Sequence, residues 1–231
     1  MTTRIGLLHM DTLSDIGVPG SDYSDLYAHL FRHEDVEFVD VHVHRGDAPA
    51  SLDDCDGWIA GGSRYSVYDD LPWIATAEEI VRDAADRERP LVGICFGHQL
   101  IAQALGGRTT KAEVGWGVGV RSYDTVAASP WSADGTPTSL LACHQDQVVA
   151  LPPDGEAWST SDYCPVAGMT VGERIWTMQG HPEFTPRVCE VIYESRRTRI
   201  GGAETDRALR TLADPLSNDE IAASIVGFVN R

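Results

Sequence analysis

Hydrophobic and polar positions follow two different rhythms along the first half of the chain. Ile5 to Met10 is a short apolar run of strand length. Tyr23, Leu26, Tyr27, Leu30 and Phe31 then recur at helical spacing, and Ser21 stands where an N-cap belongs. Val36 to His44 returns to a strand pattern through Val36, Phe38 (with Val39), Val41 and Val43, and Trp58 to Ala60 predicts a short buried strand. Trp73, Ile74, Ala77, Ile80, Val81, Ala84 and Ala85 predict a helix that opens after Pro72. Leu91 to Ile94 predicts another buried strand, and Gln99 to Leu105 another helix. This alternation predicts an α/β fold: a mostly parallel, flavodoxin-like sheet with helices on both faces. Active sites in such sheets lie beyond the carboxyl ends of the strands.

The texture changes from Arg108 to Met178. Val118 to Val126, Leu140 to Cys143, Val148 to Leu151 and Val166 to Val171 are short runs separated by Gly, Pro, Asp and Ser, which predicts an antiparallel extension of strands and hairpins. Ile175 to Gly180 is a further strand. Thr185 to Arg199 predicts a helix. Ser217-Asn218-Asp219-Glu220 predicts a capping box that opens a last helix, with Ile221, Ala222, Ile225, Val226 and Phe228 on its apolar side. There is no repeat and no linker long enough to separate one folding unit from another, so residues 1–231 are expected to form a single domain.

Two short segments within these patterns carry reactive residues. The Leu91–Ile94 run leads into Gly93-Ile94-Cys95-Phe96-Gly97, a nucleophile-elbow pattern with Cys in place of Ser. Its two glycines suit a sharp strand-to-helix turn that has no room for side chains. The turn lifts the thiol to a helix N-terminus, where free N–H groups and the helix dipole favour thiolate and can later hold an oxyanion. The second segment is His181-Pro182-Glu183. In an extended segment residues two apart point the same way, so Glu183 is placed to fix the tautomer of His181. A lone buried Cys is often only structural, and a strand-end His is often only hydrogen-bonded. The glycine context and the His-x-Glu pair together favour nucleophilic attack on an amide. The backbone N–H of Phe96, next after the nucleophile, is the natural first oxyanion donor.

Composition narrows the partners. A formal net charge of −17 argues against nucleic acid, since phosphate contacts need clustered Lys and Arg. The nearest basic cluster, Arg196-Arg197 with Arg199, lies between Glu194 and Glu204 and reads as a solvated helix face. No apolar run is long enough to span a membrane, and no signal peptide is evident. The five scattered Cys lack a Cys-x-x-Cys pair, which fits a reducing, cytoplasmic setting better than disulfides or zinc. His42 and His44 share a face of the expected strand, but two imidazoles do not make a metal site. No metal or organic cofactor is expected. Of the six Trp, Trp116 in Gly115-Trp116-Gly117 stands nearest the expected site, and the others, including Trp131, read mainly as core or cleft wall.

Gly93-Ile94-Cys95-Phe96-Gly97-His98-Gln99, followed by Gly180-His181-Pro182-Glu183-Phe184, resembles the class I glutamine amidotransferases of the Cys-His-Glu type. Asp56-Gly57-Trp58-Ile59-Ala60-Gly61-Gly62-Ser63, Gly106-Gly107, Gly115-Trp116-Gly117 and Cys143-His144-Gln145-Asp146-Gln147-Val148 fall in the family's order, so the likeness spans nearly the whole chain. It is similar above all to stand-alone members akin to the amidotransferase domain of GMP synthase, a group that includes γ-glutamyl peptide hydrolases. The resemblance implies Cys95, His181 and Glu183 as a triad. It implies a second oxyanion donor from Gly61 or Gly62, and Gln99 as a contact for the γ-glutamyl group. It places His144 and Asp146 near the substrate's α-amino and α-carboxylate groups, although an ordinary turn reads equally well there. His98 belongs to the common Gly-His-Gln run and is not assigned as the base. Where the family often has Pro or a small residue, this chain has Ser63-Arg64, which puts the shape of that loop in question.

The expected function is cysteine-dependent hydrolysis of a γ-glutamyl amide by a stand-alone enzyme acting on a small peptide or conjugate. The alternative is a glutaminase subunit that passes ammonia from glutamine to a separate synthase. A non-catalytic binding relative is a third reading, against which an intact Cys95, His181 and Glu183 argue.

Overall fold

Strand β1 (Thr3–Leu8) alternates between two apolar clusters, and that alternation founds the core: Ile5 and Leu7 face one side, Leu8 the other. The computed structural model describes residues 2–17, 22–127 and 136–231. Helix α1 (Tyr23–Leu30) follows, then β2 (Val36–Val41), β3 (Gly57–Ala60), α2 (Pro72–Asp86), β4 (Leu91–Ile94) and α3 (Phe96–Ala104). Next come β5 (Arg108–Lys111), β6 (Gly117–Thr125), β7 (Thr138–His144), β8 (Asp146–Ala150), β9 (Gly155–Thr160), β10 (Gly168–Val171) and β11 (Ile175–Met178). The chain then turns helical through α4 (Pro186–Ser195), α5 (Arg197–Ile200), α6 (Gly202–Arg210) and α7 (Asn218–Val229).

The main sheet runs β2-β1-β3-β4-β11-β10-β9-β6-β7. Its first five strands are parallel, in the flavodoxin order, and the rest pair antiparallel. Strands β5 and β8 form a separate antiparallel ladder. Apolar residues of α1, α4 and α7 cover one face together with Ile59, Val92 and Trp176, while α2 and α3 cover the other with Trp58, Ala60 and Leu91. The expected α/β architecture with an antiparallel extension is what the chain adopts.

Several local expectations are corrected. Strand β2 stops at Val41, and Val43–Arg45 forms a 3-10 turn, so His42 and His44 do not share a strand face. The His44 N–H and Nδ1 both reach the His9 carbonyl, at 3.2 and 3.0 Å, and His42 stacks on His9, which draws the chain off the ladder. Ser217 does not cap α7 with its side chain, because its hydroxyl accepts from the Ser139 N–H instead. The predicted Thr185–Arg199 helix breaks at Arg196 into α4 and α5. Strands β5 and β9 and helix α6 were not foreseen, since α6 buries only Thr205 and Ala208 and shows no apolar stripe. Ser21 and Trp131 lie outside the described residues. Asp22 caps α1, in a reciprocal box with Asp25.

Candidate active site

The elbow is held by backbone contacts on three sides. Cys95 adopts φ 53° and ψ −101°, a conformation that L side chains rarely take and that a tightly determined turn must enforce. Its N–H donates to the Met178 carbonyl at 2.9 Å, tying the turn to the end of β11. A Cβ on Gly93 would stand 2.9 Å from the Gly97 carbonyl, and one on Gly97 would overlap the Ala60 carbonyl at the end of β3. The Gly97 N–H in turn donates to the Gly61 carbonyl at 3.1 Å. Glycine at these two positions lets the ends of β3 and β4 touch.

Strand β11 delivers the second segment. The His181 N–H bonds to the Leu141 carbonyl of β7 at 2.8 Å, which fixes the backbone just beyond the strand. The Nδ1 atom of His181 lies 2.7 Å from Oε1 of Glu183, and both side chains are buried. Phe184 stacks on the imidazole with centroids 3.9 Å apart and planes 3° from parallel. Gly62 also crowds the ring, since a Cβ there would reach Cε1 of His181 at 2.8 Å. Burial works against an imidazolium, but the neighbouring Cys95 sulfur and Glu183 carboxylate outweigh it, and the pKa of His181 lies well above the usual imidazole value.

Cys95, Gln99, His144 and Asp146 line one cleft, with His181 and Glu183 buried behind it. Gln99 is held by its amide nitrogen, which donates to the Asp146 carbonyl at 2.8 Å and to Oε1 of Gln179 at 3.0 Å. His144 donates from Nδ1 to the same Asp146 carbonyl at 3.0 Å, and burial pushes its pKa down to about 4, so the ring is neutral. The Asp146 carboxylate accepts from Ser66 at 2.5 Å and Tyr68 at 2.9 Å. Of the two glycines expected to supply an oxyanion donor, Gly61 has its N–H taken by the Leu8 carbonyl at 3.3 Å. The N–H groups of Gly62 and Phe96 have no partner among the described residues. His98 is fully buried, with Nε2 facing the Val166 carbonyl and Nδ1 paired with Thr177, and burial lowers its pKa to about 3.

The Ser63-Arg64 departure now has a physical account. Asp11, nearly buried at the end of β1, accepts from both the backbone N–H and Nε of Arg64 at 2.8 Å each, while Nη2 of Arg64 donates to the Thr12 carbonyl at 2.6 Å. The loop after Gly62 is therefore pinned by a charge-assisted pair. Tyr65 in that loop rests on Trp73, which rests on Phe96. Sequence reading missed Asp11, because a single polar residue after an apolar run carries no local signal. It also misjudged the Arg196–Arg199 cluster. Arg197 is solvated and pairs with Glu194 and Asp206, but Arg196 and Arg199 line the cleft, as Trp116 does. Among the described residues, no cluster of three His, Cys, Asp or Glu is placed to hold a metal ion, and no helix is long and apolar enough to cross a membrane. All five cysteines are free.

Comparison with known proteins agrees with this arrangement. The family described as "Glutamine amidotransferase class-I" matches residues 20–194. The chain is 30% identical to γ-glutamyl peptidase 3 of Arabidopsis thaliana over 182 residues, covering 74% of this chain and 72% of that one. It is 34% identical to a glutamine-hydrolysing GMP synthase subunit of Haloarcula marismortui over 147 residues, covering 63% of this chain and 73% of that one. A glutamine amidotransferase structure from Thermotoga maritima superposes with a TM-score of 0.76 at 17% identity, covering 100% of this chain and 97% of that one, and so shares the fold. With the family matched over most of its length and the fold reproduced from end to end, this chain belongs to the class I glutamine amidotransferases.

Proposed function

We propose that this protein hydrolyses a γ-glutamyl amide bond through a thioester on Cys95, acting alone on a γ-glutamyl peptide or conjugate. The observation that carries the reading is the buried His181–Glu183 pair at 2.7 Å, set behind the Cys95 elbow with His181 favoured in its protonated form. The Cys95 thiolate attacks the side-chain carbonyl carbon and forms the C–S bond. The carbonyl oxygen, now negative, accepts from the N–H groups of Phe96 and Gly62. Loss of one such donor costs ~2.7–4 kcal/mol in transition-state energy. His181, oriented by Glu183, gives its proton to the leaving amine as the C–N bond breaks. It then takes a proton from water, whose oxygen attacks the thioester and releases glutamate and the thiolate. No metal or organic cofactor enters these steps. On this reading the Gln99 side chain and the His144–Asp146 turn hold the γ-glutamyl half, which their lining the same cleft as Cys95 supports.

Likeness to a protein named γ-glutamyl peptidase supports the stand-alone reading. Likeness to a glutamine-hydrolysing GMP synthase subunit supports the alternative, in which glutamine is the substrate and ammonia passes to a separate synthase. The test is to incubate the purified protein with L-glutamine and with γ-glutamyl peptides, with Cys95→Ala as control, and to measure released glutamate. Cys95-dependent turnover of a peptide faster than glutamine is the expected result. Turnover of glutamine alone, rising strongly with a synthase, would establish the alternative.

A further inference from the structure

The chain holds 35 Asp and Glu against 18 Lys and Arg, yet its cleft has the opposite sign. Arg64, Lys111, Arg196 and Arg199 line it, against Asp146 as the one carboxylate in the lining among the described residues. One of these charges is already neutralised. Arg64 is paired with Asp11, whereas Asp146 meets only the uncharged hydroxyls of Ser66 and Tyr68 and keeps its charge. Lys111, Arg196 and Arg199 pair with no carboxylate among the described residues. Arg196 is half-buried, and its guanidinium donates to the Cys143 sulfur at 3.3 Å, a weak acceptor whose thiol burial pushes towards the neutral form. Arg199 lies over the Trp116 ring at 5.7 Å. On a surface this acidic, three cations left without a counter-charge around one opening make a site for an anion.

The number of cations says which anion. A γ-glutamyl group carries one α-ammonium and one α-carboxylate, so it is neutral overall and needs one charge of each sign. Asp146 and a single cation satisfy it. The remaining cations call for a second negative group, on the other side of the scissile amide. We propose that, of Lys111, Arg196 and Arg199, the two not taken by the α-carboxylate form a subsite for a carboxylate on the leaving amine, so that the substrate is a γ-glutamyl amino acid or peptide with a free carboxylate. This rests on the hydrolase reading above and assigns its leaving group. Carboxylates are held well by guanidinium groups through paired, charge-assisted hydrogen bonds, which fits two Arg among the three cations.

The test compares γ-glutamylglycine, γ-glutamylglycinamide, and γ-glutamylglycine with its α-carboxylate converted to an amide. Hydrolysis by wild type, Arg196→Gln, Arg199→Gln and Lys111→Gln is followed by amine release, with kcat and KM separated. Loss of the leaving-side carboxylate is expected to lower kcat/KM by about tenfold or more, mainly through KM, since a bidentate charged contact is remote from bond cleavage. In two of the three variants that ratio should fall towards one. Equal use of γ-glutamylglycine and its glycinamide, or three variants that all change only the response to the α-carboxylate, would overturn the subsite. Calorimetry on Cys95→Ala with the same three compounds separates this from the chemistry. A preference for the leaving-side carboxylate there sustains the subsite even if no turnover is seen, and no preference overturns it even if turnover is brisk.

Discussion

The floor of the cleft comes from one stretch of chain, Leu91 to Gln99, whereas its rim comes from four: the Ser63–Tyr68 loop, Lys111 with Trp116, the His144–Asp146 turn, and Arg196 with Arg199. The floor is specified by backbone. Its glycines, its positive φ at Cys95 and its bonds to Gly61 and Met178 leave little choice of side chain or conformation. The rim is specified by side chains that meet only after folding, such as Asp11 with Arg64 or Ser66 with Asp146. Backbone constraints leave a compact mark in sequence, and tertiary side-chain pairings do not. A reader of the chain therefore sees the chemistry before the specificity.

The sharpest way to strain that contrast is at the back of the floor. Glu183→Gln keeps the shape but removes a charge that holds His181 protonated, and it is expected to lower kcat by roughly 10²–10⁴-fold with little change in KM. A loss under tenfold, measured by glutamate release, would take Glu183 out of the machinery. Next in size is Gly97→Ala. Its Cβ meets the Ala60 carbonyl, which cannot move without parting β3 from β4, so the expected cost is about 1–3 kcal/mol or more in denaturant unfolding. An unchanged unfolding midpoint would show that the glycine is not needed for packing.

The smallest effect concerns the wall behind the floor. His98 is neutral when folded, with a pKa of about 3 against ~6.5 when unfolded, so the stability it lends is complete above pH 6.5 and fades as pH falls through that window. His144, at about 4, behaves alike over a narrower window. His181 has the opposite sign: its contribution is whole below ~6.5 and is lost as pH rises through its raised folded value. His98→Gln removes one acid-sensitive group, so its loss of melting temperature relative to wild type should be larger at pH 7 than at pH 5. A gap that widens on acidification would reverse the sign of this argument.

The parallel half of the sheet was readable because its inner strands β3, β4 and β11 are buried on both faces and its helices carry clear stripes, as in α2 with Ile74, Ala77, Ile80, Val81 and Ala84. Strands β5 and β9 were not, because each is half-polar, and β5 in addition finds its partner β8 far along the chain. Ser217 misled for a related reason. Its sequence context suits a cap, and a distant backbone N–H on Ser139 claimed the hydroxyl first. At the site, the elbow and His181-Pro182-Glu183 stood out through spacing alone. Arg196 did not, since its basic neighbours suggest a solvated helix face, whereas it stands at the junction of α4 and α5 and lines the cleft.

Strand β11 enters the sheet beside β4, although six other strands intervene between them along the chain. The elbow's anchor on the Met178 carbonyl and the imidazole at His181 arrive together with that late strand. During synthesis from the N-terminus, the Cys95 segment leaves the ribosome well before the residues that would activate it. A nascent chain thus carries an ordinary thiol among its peptide neighbours, and reactivity is switched on by the same closure that completes the sheet.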